Sequence, residues 1–108
     1  MDNETFEKYL NQRLNKIINI LSKKGKEYSP DADRLHNFNR AAVLRNTTPE
    51  EALLGMKVKH TVSIEDIING IKNGYLPSLE LLEEKIGDEI NYWIILEIMI
   101  KGKINGSK

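Results

Sequence analysis

The residues best suited to chemistry in this chain lie in KKGKEYSPDADRLHNFNRAA, residues 23–42. Lys24, Lys26 and Arg34 are cations, Tyr28 is a flat ring, and His36 and Asn37 carry donors and acceptors. An arginine presents a planar fork of donors that matches phosphate or carboxylate. A tyrosine ring can stack on a base, and imidazole and amide groups can read a base edge or a sugar hydroxyl. A turn with a purely structural role needs a Gly or Pro and a cap, which Gly25, Pro30 and Asp31 or Asp33 already supply. The surplus of charge and polarity points to an anionic ligand of nucleotide size. The plainer alternative is that Asp33 caps a helix while Arg34 and His36 stand in solvent.

Two further groups of residues have the spacing of a shared helical face. In MKVKHT, Lys57 and His60 are one turn apart. His60 falls on an apolar stripe, where a histidine is more often a core residue than a ligand. Lys57 is the stronger expectation for contact with an anion. In EKIGDEIN, Glu84, Asp88 and Asn91 are spaced four and three apart. Gly87 stands beside them in mid-helix, where glycine costs about 1 kcal/mol relative to alanine. Such a residue suits the close approach of a helix or a ligand, and solvated carboxylates are the plainer alternative. Lys57, His60, Asp88 and Asn91 are thus expected on further walls of a site with Lys24, Lys26, Tyr28, Arg34, His36 and Asn37.

The elements that must position these groups read as helices. Phe6, Leu10, Leu14, Ile17, Ile18 and Leu21 recur at steps of three and four, which predicts a helix from about Asn3 to Lys24 with Asp2 or Asn3 as cap. A second helix is expected over 34–45, with Leu35, Phe38 and Ala42 inward. NTTPEE carries the strongest start signal: Thr48 as cap, Pro49 at the first helical position and Glu51 three residues after the cap. The third helix then presents Leu53, Met56, His60, Ile64, Ile67 and Ile71. VKHTVSI is rich in β-branched residues, yet the helical period runs through it, so helix is preferred, with a kink allowed near Ser63. Ser78 caps a fourth helix over 79–101, with Leu82, Ile86, Ile90, Trp93 and Ile100 inward. Its last three turns are apolar nearly all round, which predicts burial on more than one side and a second subunit against it. The expected fold class is all-α: a four-helix antiparallel bundle in a single domain over 1–102, with a flexible tail at 103–108.

Composition narrows the function. The chain has 108 residues, 40% hydrophobic and 30% charged, with 16 basic and 16 acidic residues and no cysteine. Zero net charge argues against a duplex nucleic-acid binder. Without cysteine there is no disulfide or thiolate metal site. The acidic start MDNETFEKYL does not resemble a signal peptide, and WIILEIMI is too short to span a bilayer. A cytoplasmic protein without membrane contact is expected, in the host cytoplasm if a phage encodes it. The chain has no glycine-rich phosphate loop and no histidine pair at zinc-ligand spacing.

KGKEYSPDADRLHNFNRAA, TPEEALLGMKVKHTVSIEDII and EKIGDEINYWIIL together resemble a family of small phage and prophage proteins over most of the chain. The resemblance implies a viral or mobile-element origin. More distantly, the chain is similar to the MazG-like all-α nucleotide pyrophosphatases, which hold magnesium on helix-borne carboxylates. That likeness implies Glu84 and Asp88 as metal ligands, although their spacing is four where the family pattern has three.

Three functions follow as expectations. The first is non-enzymatic sequestration of a nucleotide or nucleotide-derived signal, such as a cyclic dinucleotide, without a cofactor, to counter host defence. The second is a magnesium-dependent pyrophosphatase using Glu84 and Asp88. The third is a helical interaction module with no small ligand. In each case a homo-oligomer formed through the helix at 79–101 is expected.

Overall fold

A computed structural model of the chain describes residues 1–24 and 33–106. Among the described residues there are four α-helices, one π-helical segment and no strand. The helices are α1 (Asn3–Ile18), α2 (His36–Arg45), α3 (Pro49–Lys72) and α4 (Leu79–Ile104), with the π-helical segment Asn19–Lys24 following α1. The fold is all-α, as the periodicity predicts. Internal contacts divide the chain into two compact units, Met1–Arg34 and Leu35–Lys108.

In the first unit, Asp2 caps α1 by accepting a 2.8 Å hydrogen bond from the Thr5 amide. Hydrogen bonding from Thr5 holds the Asp2 carboxyl below its ordinary range. The expected helix does reach Lys24, but from Asn19 onward it is π-helical. Ile17 and Leu21, four residues apart on either side of the change to π-helix, are both half-buried. No residue of α1 is fully buried.

In the second unit, α2 begins at His36, two residues later than expected, after a turn at Arg34 and Leu35. It ends at Asn46, which adopts the left-handed conformation (φ 54°, ψ 53°). Asparagine tolerates that geometry better than most residues. The Thr47 amide then donates to the Ala42 carbonyl at 2.9 Å and satisfies one of the last helical carbonyls. The start of α3 is the capping box that NTTPEE predicts. Thr48 Oγ1 accepts from the Glu51 amide at 3.2 Å, and Glu51 Oε1 accepts from the Thr48 amide at 3.1 Å. The Thr47 hydroxyl also donates to Glu51 at 2.7 Å. These hydrogen bonds, that from Thr47 foremost, hold the Glu51 carboxyl below its ordinary value. VKHTVSI is helical throughout, and the Ser63 hydroxyl donates to the Lys59 carbonyl at 3.0 Å.

Gly74, at φ 91°, turns the chain after α3, and Ser78 caps α4 by accepting from the Leu81 amide at 3.1 Å. α4 continues past the expected end at Lys101 to Ile104, so residues 103 and 104 belong to the helix and not to a tail. Lys103 is held there by Glu50 at 2.7 Å. Lys103 pairs with the start of α3 while Glu89, nearer the middle of α4, pairs with Lys57, so α3 and α4 run antiparallel.

α3 packs against both α2 and α4. The core is Phe38, Leu53 and Met99, backed by Leu35, Met56, Tyr92, Ile95 and Leu96. Leu53 is completely buried. Trp93 and Ile100, expected to face inward, are 48% and 41% exposed, and Gly87, Asn91 and Met99 are buried instead. A helix that is apolar on every side does not specify its inner face by hydrophobicity; here Gly87 and the amide of Asn91 occupy it.

Candidate functional site

Two polar clusters sit side by side between α3 and α4. In the first, the Lys57 ammonium donates to Glu89 Oε2 at 2.7 Å and to Thr61 Oγ1 at 2.9 Å. The Thr61 hydroxyl donates to Glu89 Oε1 at 2.8 Å, and Trp93 Nε1 donates to Glu89 Oε2 at 3.0 Å. Lys57 also lies 4.3 Å from the centroid of the Trp93 ring, a cation–π distance. Lys57 and Thr61 are one turn apart on α3, and Glu89 and Trp93 are one turn apart on α4. Burial pushes the Glu89 carboxyl up, but the hydrogen bonds and the Lys57 charge pull it further down, to below its ordinary value.

That cluster changes the part expected of Lys57. The residue is buried, with its side chain 8% exposed, and its charge is matched within the protein. Lys57 therefore ties α3 to α4, where the sequence suggested contact with an outside anion. Its main partner, Glu89, enters the sequence reading only as a distant candidate for magnesium, with Glu80 and Glu83, and not as a partner of Lys57. The signal available was weak: Lys57–Thr61 and Glu89–Trp93 are both i,i+4 pairs.

The second cluster brings together three of the expected residues. His60 and Asn91 are buried at 7% and 8% exposure, while the Asp88 side chain is 38% exposed. His60 Nδ1 lies 3.5 Å from Asp88 Oδ2, too long for a good hydrogen bond but close enough for attraction to a protonated ring. His60 Nδ1 and Asn91 Oδ1 are buried and have no hydrogen-bond partner among the described residues. The His60 ring packs on Tyr92 at 5.6 Å, and Tyr92 meets the edge of Phe38 from α2 at 6.4 Å. Burial first, and then the Asp88 charge, raise the Tyr92 hydroxyl above its usual range. His60 is thus both a core residue, as its stripe suggests, and a neighbour of Asp88.

His36 and Asn37 are exposed on the first turn of α2. In the first unit, the Arg34 guanidinium donates to the Leu21 carbonyl and is thus partly engaged by its own backbone. Lys26 and Tyr28, and the side chain of Lys24, lie outside the described residues. Glu84 is exposed and 3.6 Å from Lys85, while Asp88 faces His60. Among the described residues no three His, Asp or Glu side chains gather as a metal site. Among the described residues, Glu84 and Asp88 thus have no third carboxylate or imidazole gathered with them to hold a magnesium ion.

An apolar cleft of about 300 Å³ opens near the far end of α3, lined by residues that include Ile67, Tyr75, Leu76 and Leu81. It contains none of the residues expected from sequence. Among the described residues no helix is long and apolar enough to cross a membrane. Comparison with protein-family models, with characterised proteins and with solved structures gave no match.

Proposed function

We propose that the chain binds and sequesters a nucleotide or nucleotide-derived signal, such as a cyclic dinucleotide, without turning it over. The observation that carries this reading is the His60–Asp88–Asn91 cluster. Two of its polar atoms are buried without partners among the described residues, beside a carboxylate that is 38% exposed. A buried polar group left unpaired is costly, and such groups call for a functional reason. Asn91 Oδ1 and the Asp88 carboxylate both accept hydrogen bonds. They suit a donor such as the amino group of a base or a ribose hydroxyl, and they repel phosphate. Within the first unit the sequence offers Lys24, Lys26 and Arg34 for phosphate and Tyr28 for stacking, and on α2 it offers His36 and Asn37 as polar contacts. Sequestration of a host messenger fits the resemblance to small phage proteins, in the cytoplasm of the infected cell.

A second reading, a helical interaction module, is favoured by the apolar residues left in solvent. On α4, Trp93, Ile100 and Ile104 share one face, seven and four residues apart, and are 48%, 41% and 76% exposed; this ridge is the proposed contact of a homo-oligomer. The homo-oligomer belongs to either reading, since an oligomer can also hold a ligand; the two readings differ in whether a small ligand is bound. The magnesium pyrophosphatase reading draws no support from the carboxylates described above.

Calorimetric titration with nucleotides and cyclic dinucleotides tests the proposal, each mixture being analysed afterwards for cleavage with magnesium present. Saturable binding with intact ligand recovered is the expected result. Recovery of cleaved products would replace sequestration by hydrolysis, and absence of binding across the panel would leave the interaction module.

A further inference from the structure

The apolar face of α1 is unused within its own unit. Phe6, Leu10, Leu14 and Ile18 recur every four residues and are 59%, 40%, 46% and 57% exposed. A helix of this length draws most of its stability from packing such a face, not from propensity. A contiguous apolar stripe in water marks a contact surface.

The charges on the same helix specify what covers it. In residues 1–7 every charged side chain is acidic: Asp2, Glu4 and Glu7. In residues 8–24 every charged side chain is basic: Lys8, Arg13, Lys16, Lys23 and Lys24. A helix lying along the stripe is matched when its own charges run in the opposite sense. A second copy of α1, laid antiparallel, supplies that charge order together with an identical stripe. A parallel copy would set acid against acid and base against base. The helix macrodipoles also favour the antiparallel arrangement. A patch that complements itself in this way generates a closed two-fold dimer, the commonest symmetry of soluble oligomers.

We infer that two copies of the chain pair through α1 and the π-helical segment as an antiparallel two-fold interface. The stripe from Phe6 to Leu21 is centred near Leu14, so Leu14 lies close to the axis and Phe6 of one copy lies near Leu21 of the other. This interface uses other residues than the α4 ridge and does not depend on any ligand.

Because the chain has no cysteine, introduced thiols report the geometry without background. Under mild oxidation, Leu14→Cys is expected to form a disulfide-linked dimer. Phe6→Cys alone is expected to stay unlinked, and to link when mixed with Leu21→Cys. Glu7→Lys and Lys23→Glu should each weaken the unlinked dimer by about fivefold, and the two together should restore it. Far-ultraviolet circular dichroism checks that each variant remains helical. A monomer mass by light scattering of the unaltered protein at high micromolar concentration overturns the inference. So does efficient linking of Phe6→Cys to itself, which means a parallel pair. A dimer that none of these thiols traps places the contact on another surface and overturns it equally.

Discussion

The Lys57 ammonium and the Glu89 carboxylate meet at 2.7 Å across the α3–α4 contact, with side chains 8% and 18% exposed. Removing one member of a pair this enclosed leaves the other charged and poorly solvated. Such losses cost about 3–5 kcal/mol, whereas replacing both members by apolar residues of similar size is often neutral. Lys57→Met is therefore expected to destabilise the protein by about 3 kcal/mol, and Lys57→Met with Glu89→Leu to recover most of that loss. Urea denaturation of the two single variants and the double variant measures the coupling. Additive losses would show that the pair contributes nothing as a pair.

The same carboxylate predicts an acid dependence. Glu89 is held below its ordinary value of 4.5 in the folded chain. A carboxyl whose folded value is depressed contributes stability that is fully present above its unfolded value and is lost as pH falls through the folded value. The Glu89 contribution should thus hold above pH 4.5 and fade below it. Trp93 is the chain's single tryptophan and donates to Glu89, so its emission reports the event. Comparing the acid unfolding of the unaltered protein with that of Glu89→Gln isolates this group. The variant should lack part of the slope below pH 4.5 and should show less change in Trp93 emission over that range.

What the sequence made legible was what depends on neighbours in the chain. Thr48, Pro49 and Glu51 interact within one turn, so the start of α3 could be read directly, and Ser78 marked α4 for the same reason. The inner face of α4 could not be read, because Trp93, Ile94, Ile95, Leu96, Ile98, Met99 and Ile100 surround the axis and no side is distinguished by polarity. The role of Lys57 was hidden differently, since its partner Glu89 is 32 residues away. His60, Asp88 and Asn91 were found as separate face-sharing groups. Their convergence became visible only with the antiparallel register of α3 and α4.

Arg34 has become a test of two roles at once. Its guanidinium donates to the Leu21 carbonyl and retains further donors for a ligand. Arg34→Ala should lower thermal stability slightly, by about 1 kcal/mol for one lost hydrogen bond, and should weaken nucleotide binding by about 2–4 kcal/mol. Arg34→Lys should recover little of the binding, because an ammonium cannot reproduce the fork. Calorimetric titration paired with thermal melts separates the two effects. A loss of stability with unchanged affinity would make Arg34 a structural clasp alone.

Asn91 offers the sharpest separation of function from folding. The residue is buried at 8% exposure, and its Oδ1 has no partner among the described residues. Leucine has a similar size and no polar atom to desolvate, so Asn91→Leu removes a cost of burial without opening a cavity. The variant should gain about 1 kcal/mol in stability, as expected when an unpaired buried polar group is replaced by an apolar one. If the amide reads a ligand, the same substitution should lower affinity at least about tenfold, which is the trade of activity for stability expected at a binding site. Asp88→Asn, on the more exposed side of the cluster, should weaken binding while leaving the melting temperature nearly unchanged. Denaturation and titration of these two variants together decide the matter. A destabilised Asn91→Leu that binds as tightly as the unaltered protein would make the amide a packing element and remove it from the site.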